Sequence, residues 1–119
     1  MRRVLIVEDE VLIGIVLEDM LDMLGCVVVG NAASLDDAGT QIDVLGADGF
    51  DCAVLDVNLG ADPVFPIADR IAALGKRIVF ATGSHPDSLP DRFAAFPVLE
   101  KPYAVAAVEA AFGQLADAA

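Results

Sequence analysis

Five short apolar runs recur along the chain, at residues 3–7, 26–29, 52–56, 77–81 and 97–100. Between them lie stretches with the apolar spacing of helices. A short apolar run bounded by turn residues reads as a strand buried on both faces. Strands that alternate with helices argue for a parallel sheet covered by helices on both sides. At 119 residues this is one compact domain spanning residues 1–119. The chain shows no internal repeat, linker or low-complexity tail.

The α/β arrangement expected at this length is a flavodoxin-like (βα)5 three-layer sandwich. Its parallel sheet has the order 2-1-3-4-5, with a switch point between strands one and three. The first helix is expected from about residue 10 to residue 24, stopped by Gly25. Helical spacing puts Ile13, Val16, Leu17, Met20 and Leu24 on its core side. Val11, Ile15, Glu18 and Asp22 fall on the other. Ser34 is placed to cap a second helix over 35–45. Asp62-Pro63-Val64-Phe65-Pro66 resists an early helix start, so the third helix is expected at 67–74, closed by Gly75. Residues 87–96 have room only for a short fourth helix, with Pro90 near its start. Val105, Val108, Phe112 and Leu115 mark the core side of a last helix, and Ala107, Ala110 and Ala111 its outer side.

Charge narrows the function classes. The net charge of −12 repels nucleic acid and anionic lipid, which need clustered Lys and Arg. Basic protein partners and divalent cations remain open. No apolar run approaches membrane-spanning length. Met1-Arg2-Arg3 and the short run Val4-Leu5-Ile6-Val7 are cut off by Glu8, too early for a signal segment. A cytoplasmic location is expected. Cys26 and Cys52 lack metal or redox spacing and read as small core hydrophobes.

The strand ends carry the chemistry. Strand one ends in Glu8 and Asp9, strand three in Asp56, strand four in Thr82 and strand five in Lys101. In an open α/β sheet these carboxyl ends meet at the switch point, where ligands bind. Three carboxylates there repel each other unless a positive group joins them. Hard oxygen ligands in small number suit Mg²⁺, which keeps water and a phosphate oxygen in its shell. Lys101 is a point charge for a phosphoryl oxygen, and Thr82 offers a hydroxyl for a second. Asp56, between metal and lysine, is the candidate nucleophile for an aspartyl phosphate. Glu10 reads as a loop residue or a helix cap.

These residues make the chain resemble the receiver domain of bacterial two-component response regulators. Val-Glu-Asp-Glu at 7–10, Leu-Asp-Val-Asn-Leu at 55–59, Ala-Thr-Gly at 81–83 and Glu-Lys-Pro at 100–102 carry the resemblance, in order and across the whole chain. It implies that Asp56 is the phosphoacceptor, that Glu8 and Asp9 hold Mg²⁺, and that Asn58 adds its backbone carbonyl. It also implies that Thr82 and Lys101 contact the phosphoryl group, and that Lys101-Pro102 is a cis peptide. Phe80-Ala81-Thr82-Gly83-Ser84 looks like the FATGUY subgroup, often single-domain receivers, although that group usually has Tyr where His85 stands. Receivers commonly carry Tyr or Phe three residues before the lysine. Here that residue is Val98, so coupling of the threonine to a rotating aromatic is unavailable. His85 reads either as a polar loop residue or as a switch group, and Tyr103 as packing.

The expected function is a stand-alone receiver that takes a phosphoryl group from a sensor histidine kinase or a histidine phosphotransferase. It would signal to a downstream protein or act as a phosphate sink. Neither nucleic acid nor membrane is expected as a partner. The kinase is expected on the outer face of the first helix, at Val11, Gly14, Ile15 and Glu18. The alternative is a pseudo-receiver that works unphosphorylated as an interaction module. A flavodoxin-like cofactor binder ranks last, because the loop after strand one has no Gly or Ser/Thr cluster to cradle a phosphate.

Overall fold

The computed structural model describes residues 2–60, 62–83, 89–101 and 103–116. His85 and Pro102, and with Pro102 the expected cis peptide, lie outside the described residues, as does the side chain of Leu115.

Strands β1 (Arg3–Val7), β2 (Val27–Ala32), β3 (Cys52–Asp56), β4 (Arg77–Thr82) and β5 (Val98–Glu100) form one parallel sheet. Its order is β2-β1-β3-β4-β5, as the alternation of elements predicts. The chain leaves β1 for one edge and then crosses back to β3. The crevice between β1 and β3 is the switch point. β3 lies at the centre, and all five of its residues are buried.

Side chains alternate across a strand, so the sheet divides the core in two. Leu5, Val7, Ala53, Leu55, Ile78 and Phe80 face helices α2 (Leu35–Leu45) and α3 (Phe65–Ala73). Val4, Ile6, Cys52, Val54, Val79 and Ala81 face helices α1 (Val11–Met23) and α4 (Val105–Ala116). The register of β1 on β3 is latched at the far end from the switch point. There the Arg3 guanidinium donates to both oxygens of Asp51, at 2.9 and 3.2 Å. The Arg3 amide donates to Asp51 Oδ2 at 2.8 Å. These bonds hold the Asp51 carboxyl down at about 2.

α2 follows the sequence closely. Ser34 Oγ accepts the Asp37 amide at 3.1 Å, a cap worth about 1 kcal/mol. Asp36 and Asp37 sit in the first turn, where the helix dipole favours acids.

α1 departs from expectation. Its buried residues are Gly14, Leu17 and Leu21, whereas Val16 is 47% and Leu12 78% exposed. Apolar residues run almost all the way round this helix, so spacing alone does not fix which side packs. Gly14 helps to set it, because a Cβ there would sit 2.7 Å from Asn31 Nδ2 of β2. Gly14 therefore belongs to the packed side and not to the outer face.

Three further departures have local causes. α3 begins at Phe65, two residues early, because Pro66 falls in the first turn, where no amide is needed. Two-residue strands, Asn58–Leu59 and Asp62–Pro63, pair antiparallel between β3 and α3. Between β4 and β5 the described residues hold only the 3-10 turn Asp91–Phe93 in place of a short helix. Phe93 anchors that turn against Phe80, with ring centroids 5.1 Å apart. Arg92 ties it to Asp69 of α3 through bonds of 2.8 and 3.0 Å. On α4, Ala111 is buried beside Val108 and Phe112. It lies within their stripe at helical spacing and not on the outer side.

Candidate functional site: an acid–lysine pocket

Strand pairing lines up the ends of the central strands. Val7 stands opposite Leu55, so the next residues, Glu8 and Asp56, leave the sheet side by side. Thr82 stands opposite Glu100, so Lys101 follows one residue on, and its amide donates to Thr82 O at 3.0 Å. Alternation then sorts the side chains. Glu8, Asp56 and Lys101 continue the α1/α4 face set by Ile6, Val54 and Leu99. Thr82 ends β4 one residue past the level of Asp56.

Lys101 bridges the acids. Its Nζ lies 2.8 Å from Glu8 Oε1 and 2.9 Å from Asp56 Oδ2. Glu8 and Asp56 are buried and Lys101 is partly buried, with side-chain exposures of 2%, 6% and 13%. The contact with Asp56 is a hydrogen bond. The contact with Glu8 is an ion pair without hydrogen-bond alignment, and Oε1 accepts no hydrogen bond among the described residues. Burial pushes the Asp56 carboxyl up, the Glu8 charge adds to this, and Lys101 opposes both. On Lys101 burial pulls downward, but its contacts with Glu8 and Asp56 outweigh it and the ammonium is held above its ordinary value.

Around this core runs an open cleft of about 290 Å³, lined by Asp9, Glu10, Asp56, Asn58, Gly60, Gly83 and Lys101. Asp9 Oδ2 accepts the Gly60 amide at 2.8 Å, which ties the loop after β3 to the end of β1. Burial pushes the Asp9 carboxyl up, but Glu8 and the Gly60 amide hold it below its ordinary value. Asp56 Oδ1 accepts the Asn58 amide at 3.4 Å. The structure thus gathers Glu8, Asp9, Asp56, Asn58 and Lys101 at one cleft. Thr82 is buried at the end of β4, 2% exposed, and Gly83 supplies the cleft wall beyond it.

Three residues at the site were not assigned to it from the sequence. Gly60, with φ of 62°, makes the turn that presents its amide to Asp9, and a glycine just past a strand end was the available signal. Glu10 occupies the cap position of α1, but its side chain makes no cap bond. Its carboxylate belongs to the cleft. Tyr103 packs beneath α1 and α4, as expected, but it also lines an apolar hollow with Glu10, Leu12, Ile13, Val16, Gly83 and Lys101. Burial, and then the charges of Glu8 and Asp56, push its hydroxyl up.

No family model and no curated protein sequence matches the chain. Solved structures do. The chain is similar to SdrG from Sphingomonas melonis Fr1 in its solution structure, at 39% identity and a TM-score of 0.85, covering 98% of this chain and 97% of that one. It is similar to the BeF3-activated conformation of SdrG from Pseudomonas melonis Fr1, at 40% identity and a TM-score of 0.80, covering 95% and 94%. It is also similar to the PhyR response regulator REC domain of Erythrobacter litoralis, at 26% identity and a TM-score of 0.83, covering 98% and 90%. Fold and site together define a doubly wound α/β domain with an acid–lysine pocket at its switch point. The chain belongs to the response regulator receiver domains.

Proposed function

We propose that the protein accepts a phosphoryl group on Asp56 from a histidine kinase or histidine phosphotransferase and signals by protein–protein contact. The observation that carries this reading is the partly buried Lys101 held 2.9 Å from the buried Asp56 Oδ2. An Asp56 oxygen forms the new bond to phosphorus as the bond to the donor's imidazole nitrogen breaks, and the electron pair leaves with the imidazole. Lys101 is already at the carboxylate and meets the incoming phosphoryl oxygens as their charge builds. Thr82, one residue past the level of Asp56 on the neighbouring strand, supplies a hydroxyl for another of these oxygens.

Glu8, Asp9, Asp56 and the Asn58 carbonyl would hold Mg²⁺. The gathering of Glu8, Asp9, Glu10 and Asp56 around the Lys101 ammonium and the upward push on Asp56 fit a pocket that takes more positive charge than Lys101 brings. The chemistry such a cation supplies is neutralisation of the phosphoryl oxygens.

The donor is proposed to dock on α1. Val11 and Ile15 are 70% and 46% exposed, and Leu12, Val16 and Met23 extend the apolar surface beyond them. A helix apolar on nearly every side calls for a cover. Asp19 and Asp22 on the same outer side favour basic residues at the rim of the partner. No helix among the described residues is long and apolar enough to cross a membrane, and a cytoplasmic setting is part of the proposal.

Beryllium fluoride mimics an acyl phosphate and tests this reading without a kinase. In the presence of Mg²⁺ it should shift the amide resonances of Asn58, Gly83 and Lys101, and Asp56→Asn should abolish the shifts. Equal shifts in the variant would reject Asp56 as the acceptor. No shifts in the wild type would favour an unphosphorylated interaction module.

A further inference from the structure

We propose that the open edge of β2 takes an extended, basic segment of a partner protein as an added strand. This surface lies apart from the Asp56 cleft and needs no phosphoryl group.

β2 is the outermost strand on its side of the sheet. One edge of it pairs with β1. The Val27 amide donates to Arg2 O at 2.7 Å, and the Ala32 carbonyl accepts the Glu8 amide at 2.9 Å. No strand lies along the other edge. Successive residues turn their backbone groups to alternate edges, so Val28, one residue on from Val27, turns its amide outward.

Native edge strands are blunted by charged side chains, by Pro or by being very short. β2 reads Val-Val-Val-Gly-Asn-Ala, with no charge and no Pro, and at six residues it is as long as β4. Two devices limit the edge beyond Val28. The register on β1 shifts between Val28 and Gly30, and the Gln41 side chain donates to Asn31 O at 3.2 Å. The start of the strand stays open, with Val27 40% exposed.

That open start forms the floor of a groove of about 410 Å³ between α1 and β2, lined by Glu18, Asp19, Asp22, Cys26, Val27 and Val28. The walls hold three acids and no cation. Residues 4–69 include no Lys, Arg or His. Arg3 is bound to Asp51 and Arg2 to the Phe112 carbonyl of α4, so neither neutralises the groove. Among the described residues only Glu8, Asp9 and Glu10 gather three carboxylate oxygens within 4.8 Å. The acids of the groove are therefore too spread for one metal ion and suit cationic groups spaced along a chain. The same charges disfavour a second copy, since edge-to-edge pairing would set like acids against each other. In strand addition, backbone bonds supply affinity and alternate side chains supply specificity. The matching segment carries Lys or Arg at every second residue, on the side facing α1.

The test is an NMR titration of the unphosphorylated chain, at constant ionic strength, with the eight-residue peptide (Lys-Val)4. The amides of Val27, Val28 and Val29 should shift. (Lys-Gly)4 has the same charge but a poor strand propensity, and should bind at least about fivefold more weakly. N-methylation of either the valine or the lysine amides should abolish binding, according to which set faces the edge. The double variant Glu18→Gln/Asp22→Asn should bind (Lys-Val)4 about fivefold more weakly, with its Asn58 and Gly83 amides in their wild-type positions. No binding of (Lys-Val)4, equal binding of (Lys-Gly)4, or retention by both methylated peptides would overturn the proposal. So would shifts confined to Val11 and Ile15, or a double variant that binds like wild type. If concentrating the chain alone shifts the Val27–Val29 amides, the occupant is a second copy and the proposal fails.

Discussion

The Asp56 carboxyl is held above its ordinary value first by burial and then by Glu8, against the pull of Lys101. A folded-state pKa raised above the unfolded one means that the folded protein binds the proton more tightly. The stability this gives is present below the unfolded pKa and is lost as pH rises through the folded one. Cation-free protein should therefore melt progressively lower as pH rises from the ordinary carboxylate range toward mildly alkaline values. Asp56→Asn should flatten that slope and melt higher than wild type at the alkaline end. Wild-type melts that climb over the same window, or a variant with an unchanged slope, would contradict the burial account. Asp51 acts in the opposite sense. Arg3 holds it down at about 2, so its contribution stays in place through this window and fades only in stronger acid. Asp56, Lys101 and the pair Glu8–Asp9 were legible because each stands where an apolar run stops. The place of Glu10 beside the cleft was not, since it depends on the backbone turn that brings the Glu10 amide back to Glu8.

Among the elements, α2 was the most readable, because Ser34 marks its start and caps it in the structure. α1 was readable in extent but not in orientation. Val11, Leu12, Ile15, Val16 and Met23 are all exposed, and a helix so evenly apolar leaves no polar side to read against. The packing of Gly14 against Asn31 is a tertiary fact. The 3-10 turn between β4 and β5 was only half legible. Pro90 and the short spacing excluded a full helix, but the clasp of Arg92 on Asp69 is a long-range pair. The exposed face of α1 yields a prediction at this scale. Ile15→Asp should slow transfer from the cognate kinase by at least about tenfold, equivalent to about 1.4 kcal/mol. Phosphorylation by a small-molecule donor, which needs no docking, should be little changed. If both routes slow together, the substitution has harmed the fold or the site, and α1 is not the docking face.

At the scale of the molecule, the strand order was legible because five alternating units of this length leave few ways to wind one sheet. That order alone brings residues 8, 56, 82 and 101 to one end. The acidic excess acts on the same end. With 19 acids against 7 Lys and Arg, self-repulsion works against the compact state, most strongly where Glu8, Asp9, Glu10 and Asp56 meet. Mg²⁺ well above its Kd should raise stability by roughly 1–3 kcal/mol, read as a higher melting temperature. Ionic-strength-matched NaCl should give clearly less, and an equal gain from both salts would argue against a specific cation site. The most direct measurement of the central claim is the intact mass of the chain after incubation with a small phosphodonor and Mg²⁺. Wild type should gain the mass of one phosphoryl group, lose the gain when Mg²⁺ is chelated beforehand, and show no gain as Asp56→Asn. An unmodified wild type, or an equally modified Asp56→Asn, would contradict the account.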